Sequence, residues 1–177
     1  MTQRTIIGLV GFPRSGKDSA AARLIETHGY TRIAFGDGVK KLLLAIDPSY
    51  RDNLDVLEAS KANGDDHTRE KLQNLGQTLR DFDEDFWVKT AVEHIKALPE
   101  GVPVVITDIR YPNEFHLVKD MGGTVVGIER PGYGPVNDHV SETNTATILE
   151  HADVIVKNDR TIDELVQDIL STTSTTH

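Results

Sequence analysis

Residues 11–19 read Gly-Phe-Pro-Arg-Ser-Gly-Lys-Asp-Ser, and their types and spacing are those of a loop that binds phosphate. Two glycines, Gly11 and Gly16, let the backbone turn its N–H groups toward a polyphosphate. Lys17 adds a cation, and a helix that begins here adds the positive end of its dipole. Because an apolar run at residues 5–10 precedes the loop and a helix-forming segment follows it, the pattern predicts binding of a nucleoside triphosphate.

The residue that follows this lysine is Asp18, at a position where such loops usually carry the serine or threonine whose hydroxyl binds magnesium. Carboxylate oxygens suit this hard cation. The sequence therefore predicts that Asp18 holds Mg²⁺, directly or through a water, with Ser19 as the rival ligand. The alternative is that Asp18 only balances the charge of the first helical turn, an effect of about 0.3–1 kcal/mol.

A second group of polar residues directly follows an apolar strand predicted at residues 104–107. Asp108 ends this strand, where phosphate-loop proteins carry a second magnesium ligand; a helix cap before Pro112 is the alternative. The next residue is Ile109 rather than the glutamate that activates water in many ATPases, which favours a bound acceptor over water. Arg110 then offers a planar cationic fork to phosphate oxygens.

The composition limits the kind of protein that this chain can be. Its 177 residues, 38% of them hydrophobic and 27% charged, suit a single globular domain. The chain has no cysteine, which excludes disulfides and thiolate-bound metals, and we expect neither a signal peptide nor a membrane partner. A net charge of −9 argues against a nucleic-acid partner. Phosphate binding must then depend on cations gathered locally, and the arginines in suitable places are Arg14, Arg80, Arg110 and Arg130.

Apolar runs alternate with segments of helical periodicity, which predicts a three-layer α/β fold with helices on both faces of a five-stranded parallel sheet. The strands are predicted at residues 5–10, 30–35, 104–107, 124–128 and 154–156, and the main helices at 17–28, 37–46, 112–121, 141–151 and from 162 onward. Residues 50–98 show helical periodicity without a convincing strand. Ligands of such sheets bind beyond the carboxyl ends of the strands, where the polar residues described above lie.

The chain resembles the bacteriophage deoxynucleoside monophosphate kinases, which belong to the phosphate-loop nucleoside monophosphate kinases. The resemblance extends over residues 8–158 and rests on motifs in a fixed order. These motifs are Gly-x-x-x-Ser-Gly-Lys-Asp at 11–18, Ala34-Phe35-Gly36-Asp37 with Lys40, Leu72-Gln73-x-Leu75-Gly76 with Arg80, Asp85-x-Trp87-Val88, Asp108-Ile109-Arg110-x-Pro112-Asn113-Glu114, Ile128-x-Arg130-Pro131 and His139-x-Ser141-Glu142.

The resemblance implies an enzyme that transfers the γ-phosphoryl group of ATP, with Mg²⁺, to deoxynucleoside monophosphates in the cytoplasm of a host cell. It also implies one kinase domain, whose oligomeric state, monomer or homodimer, stays open. The expected parts are a core at residues 1–48 and 100–170, a helical monophosphate-binding insertion at about 49–99, a short lid at about 130–142 and a polar tail at 171–177.

The residues and the resemblance together predict roles for individual residues, and the resemblance adds the acceptor side. The expected ATP-binding residues are Gly11, Arg14, Ser15, Gly16, Lys17, Asp18, Ser19 and Asn158; the expected acceptor-binding residues are Asp37, Lys40, Gln73, Arg80, Trp87, Asp108 and Arg110; and the expected catalytic residues are Lys17, Arg110 and Arg130. Several structural interpretations stay open at this point. Trp87 lies in an apolar stripe typical of a core, Asp37 also suits a helix cap, and Asn158 also suits a turn.

Two other functions stay open from the sequence. The first is a kinase for another phosphorylated small molecule, of the phosphomevalonate or dephospho-coenzyme A type, because Ser-Gly-Lys-Asp and an Asp-x-Arg stretch also suit such enzymes. The second is a nucleotide-dependent switch with little transfer activity. The guanine-selective Asn-Lys-x-Asp motif of GTPases is absent, since residues 156–159 read Val-Lys-Asn-Asp, and this argues against a switch.

Overall fold

A computed structural model of the chain describes residues 4–50, 53–135 and 140–173. Its strands form one parallel sheet of five strands in the order β2-β3-β1-β4-β5. The strands are β1 (Ile6–Val10), β2 (Thr31–Ile33), β3 (Val104–Ile106), β4 (Thr124–Glu129) and β5 (Val154–Lys157). The predicted α/β class and the five predicted strands are thus confirmed.

Helices connect the strands and fill the long segment between β2 and β3. They are α1 (Lys17–His28), α2 (Phe35–Ile46), a 3₁₀ turn (Pro48–Tyr50), α3 (Leu54–Ala62), α4 (Asp66–Phe82), α5 (Phe86–Ala97), α6 (Pro112–Asp120), α7 (Val140–His151) and α8 (Ile162–Thr173). Within the described ranges, none of these helices is both long and apolar enough to cross a bilayer.

Several boundaries shift by one residue, and two regions differ from the sequence prediction by more than that. The second strand is shorter than predicted, because the chain leaves the sheet at Ala34 and Phe35 already begins α2 with its ring buried. The last helix, α8, continues through Thr173, into the segment that the sequence predicted to be a polar tail. The hydroxyl groups of Thr172 and Thr173 in this last turn donate to carbonyls of the preceding turn, so these polar side chains are satisfied within the helix.

The chain forms two compact units. The first, which we call the sheet unit, comprises residues up to Ile33 and from His94 onward, and it therefore contains all five strands. The second, the helical unit, runs from Ala34 to Glu93 and contains α2, α3 and α4 with most of α5.

The core of the sheet unit lies on both faces of β1, which is buried along its whole length. On one face, side chains of the central strands pack against α1 and α8 in a single cluster that includes Leu9, Leu24 and Ile169. The other face carries α6, and here Gly8 allows close packing, since a Cβ at this position would lie 2.5 Å from Cδ1 of Ile109. This packing fixes β1 and the beginning of α1 relative to each other.

The helical unit has a separate small core. Leu43, Tyr50 and Leu57 form a buried cluster, against which Leu44, Leu72 and Leu75 pack. The hydroxyl of Tyr50 shares a hydrogen bond of 2.8 Å with that of Thr68, so the buried polar atoms satisfy each other. Leu72 and Leu75 thus form the inward face of α4, which agrees with the helical periodicity predicted for residues 50–98.

An ion pair joins two helices of the helical unit. Nζ of Lys71 donates a hydrogen bond of 2.6 Å to Oδ2 of Asp47. This hydrogen bond lowers the pKa of the Asp47 carboxyl well below its usual range. The pair therefore links α4 to the end of α2 in the charged state at neutral pH.

We expect Leu24→Ala to lower the free energy of unfolding by about 2–5 kcal/mol, because it leaves a cavity in the core beneath α1. Leu24 is 0% exposed, whereas its neighbour Ile25 on the same helix is 40% exposed, so Ile25→Ala is a matched control. The control should change the stability by no more than about 0.5 kcal/mol. Urea denaturation followed by circular dichroism measures both values, and equal losses would contradict the described packing.

Candidate nucleotide-binding site

The loop between β1 and α1 has a backbone conformation that few residues adopt. Arg14 has φ 63°, and it is the only non-glycine residue with positive φ in the described part of the chain. Gly16, the N-cap of α1, has φ 107°. Left-handed residues in a tight turn are typical of backbone nests that bind anions. The loop thus has the shape that the sequence predicted for phosphate binding.

Space requires both glycines of the loop, and at Gly16 the backbone conformation requires glycine as well. A Cβ at Gly11 would lie 2.6 Å from the carbonyl oxygen of Ile128 and 2.6 Å from Oγ of Ser15. A Cβ at Gly16 would lie 2.3 Å from Nδ2 of Asn158. A larger residue at position 11 would push the loop away from the backbone of β4, and one at position 16 would displace the Asn158 side chain.

The Lys17 side chain folds back into the turn of the loop. Its Nζ donates hydrogen bonds to the carbonyl oxygens of Gly11 at 2.6 Å and Phe12 at 2.9 Å. The ammonium group therefore lies against the backbone that would surround a phosphate. A phosphate oxygen carries a formal charge and forms a stronger hydrogen bond than a carbonyl does, so Lys17 can exchange these partners for a ligand.

Asn158 braces the loop from the neighbouring strand end. Its Nδ2 donates a hydrogen bond of 2.8 Å to the carbonyl oxygen of Ser15, a residue that is itself buried. Its backbone N–H donates to the carbonyl of Glu129 at 2.7 Å, which fixes Asn158 between the ends of β4 and β5. The sequence predicted an ATP contact or a turn for Asn158, and in the structure its amide bonds to the loop backbone.

A pocket opens at the beginning of α1. It is lined by Arg14, Gly16, Lys17, Asp18, Ser19, Arg130 and Tyr133. Arg130 follows β4 and donates a hydrogen bond of 3.2 Å from Nη1 to the carbonyl oxygen of Arg14. Four predicted cationic or acidic side chains therefore line one pocket, along with Tyr133, which sequence reasoning did not assign to the site.

The end of β3 lies next to the end of β1, because the two strands pair in parallel. Asp108 is half-buried there, and Arg110 is exposed. Glu114, buried at the beginning of α6, accepts hydrogen bonds from the backbone N–H groups of Arg110 at 2.7 Å and Tyr111 at 3.1 Å. Glu114 thus fixes the turn that carries Arg110. The sequence indicates this role only through the position of a glutamate in the first helical turn after Pro112.

The oxygen donors at this edge of the sheet suit a magnesium ion that phosphate oxygens also bind. Asp18 and Ser19 line the pocket, and Asp108 is half-buried at the strand end. Among the residues that the structure describes, no three acidic or histidine side chains gather closely enough to hold a metal ion alone. One or two carboxylates that act together with phosphate oxygens are the usual ligands of nucleotide-bound Mg²⁺, and these residues suit that arrangement.

The other predicted residues lie in the helical unit. Lys40 on α2 forms an ion pair of 2.7 Å with Oε1 of Glu58 on α3 and lies 3.6 Å from Oδ1 of Asp37. Lys40 and Asp37 are half-buried, and Gln73 on α4 is exposed. The structure therefore brings Asp37 and Lys40 together and adds Glu58, which sequence reasoning missed.

Trp87 packs inside the helical unit. Its side chain is 3% exposed, and its Nε1 donates a hydrogen bond of 3.1 Å to the carbonyl oxygen of Gly76. A Cβ at Gly38 would lie 2.8 Å from the ring, so the indole packs directly on the backbone of α2. Arg80 lies one turn after Gly76 and is half-buried. Trp87 thus links the turn that carries Asp37 to the turn that precedes Arg80.

The lid predicted at residues 130–142 lies only in part within the described residues. The segment up to Pro135 is described, whereas His139 lies outside the described residues.

Comparison with known proteins gives a consistent family match. The family model for deoxynucleotide monophosphate kinases matches residues 72–169. The chain is 30% identical to a protein of Acanthamoeba polyphaga mimivirus named "Putative deoxynucleotide monophosphate kinase", over 94% of each chain. The deoxynucleotide monophosphate kinase of Enterobacteria phage T4 is 29% identical over 59% of this chain and 44% of its own length.

Solved structures with a similar fold are more distant in sequence. TT1252 from Thermus thermophilus aligns with a TM-score of 0.54 at 16% identity, over 97% of this chain and 98% of that chain. Shikimate kinase from Aquifex aeolicus vf5 aligns with a TM-score of 0.51 at 18% identity, over 96% of each chain. These matches agree with the phosphate-loop fold described above.

We expect Asn158→Asp to weaken binding of a non-hydrolysable ATP analogue by about tenfold. The substitution replaces the amide N–H donor with a carboxylate oxygen, so the Ser15 carbonyl loses its hydrogen bond. A buried acceptor left without a donor costs about 1–3 kcal/mol. Isothermal titration calorimetry measures the dissociation constant. Asn74→Asp makes the same chemical change on an exposed position of α4 and serves as the control. Equal affinities in the two variants would show that Asn158 does not brace the loop.

Proposed function

Since the chain belongs to the deoxynucleotide monophosphate kinase family, we propose that this ATP-dependent kinase phosphorylates deoxynucleoside 5′-monophosphates. In the reaction, an oxygen of the acceptor phosphate forms a bond to the γ-phosphorus of ATP, and the bond from that phosphorus to the β–γ bridging oxygen breaks. The products are ADP and a deoxynucleoside diphosphate. The observation that carries this proposal is the phosphate loop at the beginning of α1 in a chain of this family.

The donor side of the reaction is assigned to the loop. We infer that the backbone of residues 11–16 surrounds the β- and γ-phosphates of ATP and that Lys17 leaves its carbonyl partners to bind them. Ser15 contributes through its backbone, which Asn158 holds in place. Little covalent chemistry falls to the protein in phosphoryl transfer, so this positioning is a large part of catalysis.

Magnesium is assigned to the oxygen donors of the same edge. We propose that Asp18 holds Mg²⁺, with Ser19 as the rival ligand, and that Asp108 binds the metal or its waters. When bound, the ion neutralises charge that develops on the transferring phosphoryl group. The Asp18 carboxylate also lies in the first turn of α1, where the helix dipole reduces the cost of an acidic group beside phosphates.

Two arginines are assigned to the transferring group. Arg130 already lies in the pocket beside the loop, and Arg110 follows the strand next to β1. Guanidinium groups bind phosphate oxygens bidentately and keep their charge at any working pH. We propose that Arg110 and Arg130 stabilise the negative charge on the phosphoryl oxygens in the transition state, while Lys17 holds the donor.

The acceptor is assigned to residues of the helical unit. We infer that Arg80 binds the acceptor phosphate and that Asp37 and Lys40 contact its sugar or base. Gln73, exposed on α4, is assigned to a base edge. Trp87 is assigned a supporting role, since its ring packs on Gly38 beside Asp37 and its N–H bonds to Gly76. The viral origin of the relatives supports a role in nucleotide synthesis in the cytoplasm of an infected host cell.

We expect release of ADP from Mg²⁺–ATP to depend on an acceptor and to be stimulated strongly by one or more of dAMP, dCMP, dGMP and dTMP. A coupled assay measures it, with the ribonucleotides, phosphomevalonate, dephospho-coenzyme A and no acceptor as comparisons. Removal of Mg²⁺ should abolish the stimulation. Activity on a non-nucleotide acceptor alone would overturn the proposed substrate, and ADP release without an acceptor would indicate a switch.

We expect Arg110→Ala to lower kcat by about a hundredfold or more, because it removes a charge that the transition state needs more than the ground state does. Steady-state kinetics with the best acceptor measure this loss. Arg23→Ala is the matched control, since Arg23 forms surface ion pairs with Glu26 and Asp163. A variant at Arg110 that turns over as fast as the Arg23 variant would remove Arg110 from the catalytic residues.

A further inference from the structure

The segment that follows β4 forms a tight turn beside the phosphate loop. The backbone N–H of Tyr133 donates a hydrogen bond of 3.1 Å to the carbonyl oxygen of Arg130. Pro131 and Gly132 occupy the two central positions, and Gly132 has φ 81°. Proline followed by a left-handed glycine is the signature of a type II turn. The turn thus fixes the backbone that joins Arg130 to Tyr133.

This turn places an aromatic ring under the arginine. The guanidinium carbon of Arg130 lies 4.6 Å from the centroid of the Tyr133 ring, within the range of a cation–π contact. At the same time, Nη1 of Arg130 donates to the carbonyl oxygen of Arg14 in the loop. The guanidinium group therefore has one partner at its face and one at its edge.

The two contacts leave Arg130 able to bind phosphate. A guanidinium group has five N–H donors, all of which lie in its plane, so a ring stacked on its face uses none of them. The hydrogen bond to the Arg14 carbonyl engages a donor on Nη1 and leaves the face of the group to Tyr133. A flexible arginine loses much conformational freedom when it binds, and an arginine that is already held loses less.

We propose that Tyr133 is a positioning residue that holds Arg130 at the phosphate loop before the nucleotide binds. This inference rests on the role of Arg130 in the proposed function. The ring restricts the guanidinium group to the pocket that Lys17 and Ser19 also line. Tyr133 acts through Arg130 alone, and it makes no contact with the nucleotide that contributes to affinity.

A double-mutant cycle tests this proposal. The variants are Tyr133→Ala, Tyr133→Phe, Arg130→Ala and the double alanine variant, each in the full chain and checked by thermal denaturation. Two readouts are measured, kcat/KM for ATP with the best acceptor and the dissociation constant of a non-hydrolysable ATP analogue. The dissociation constant tests the role of Tyr133 even if no deoxynucleotide is phosphorylated. Failure of the proposed function would appear only in the kinetic measurement.

The expected result has three parts. Tyr133→Ala lowers kcat/KM and analogue affinity by about two- to fivefold, the loss that corresponds to an exposed cation–π contact. Tyr133→Phe retains the ring and stays close to the unaltered protein. In the Arg130→Ala background, Tyr133→Ala causes no further loss, because the partner through which Tyr133 acts is gone.

Any of four outcomes would overturn the proposal. A further loss from Tyr133→Ala in the Arg130→Ala background would show that Tyr133 contacts the nucleotide itself. A loss in Tyr133→Phe equal to that in Tyr133→Ala would assign the effect to the hydroxyl group. If Tyr133→Ala left kcat/KM and analogue affinity unchanged, Tyr133 would have no positioning role. If Arg130→Ala left both unchanged, neither Arg130 nor Tyr133 would take part in nucleotide binding.

Discussion

An acidic chain that binds polyphosphate has to create positive potential locally, and this constraint governs the arrangement of the sheet unit. With a net charge of −9, the protein as a whole repels its ligand. The compensation comes from fixed dipoles, namely the backbone of a loop with left-handed residues and the beginning of α1, together with Lys17. Dipoles of this kind act only at short range, so the loop must keep one conformation. Its packing on Ile128 and its hydrogen bond from Asn158 provide that rigidity.

The order of the strands explains why distant parts of the sequence meet at the loop. Because β1 lies at the centre of the parallel sheet, the strands on its two sides end at the same edge. Asp108 follows β3, Arg130 follows β4 and Asn158 follows β5. Each of these strands thus contributes one polar side chain of a different kind. The acid suits a cation, the guanidinium group suits an anion, and the amide bonds to the loop itself. Of the helices packed on the sheet, α1 adds Lys17 and Asp18 to this edge at its first turn.

Local pattern was sufficient to predict the elements and the loop, since glycine spacing, apolar runs and helical periodicity are short-range signals. The five strands and the phosphate loop were predicted correctly. The contacts that complete the site were not, because they join residues far apart in the chain. The hydrogen bond from Asn158 to Ser15 spans 143 positions, and nothing near either residue indicates it. Glu58 looks like an ordinary surface acid in sequence, and only tertiary packing reveals that it pairs with Lys40. Glu114 bonds to backbone groups close to it in the chain, but its burial depends on tertiary packing.

The central position of β1 has a consequence for the order in which the protein acquires its structure. Ile7 pairs with Val105 on one side and with Thr124 on the other, so β1 has no sheet partner until the residues of β3 have been made. Contacts of such large sequence separation form slowly, because long segments must be brought together before any pairing stabilises them. During synthesis on the ribosome, all residues of the helical unit are therefore made before either sheet neighbour of β1. The phosphate loop cannot receive its hydrogen bond from Asn158 until that residue has been made, so the loop's bracing contact forms after its own sequence is long complete.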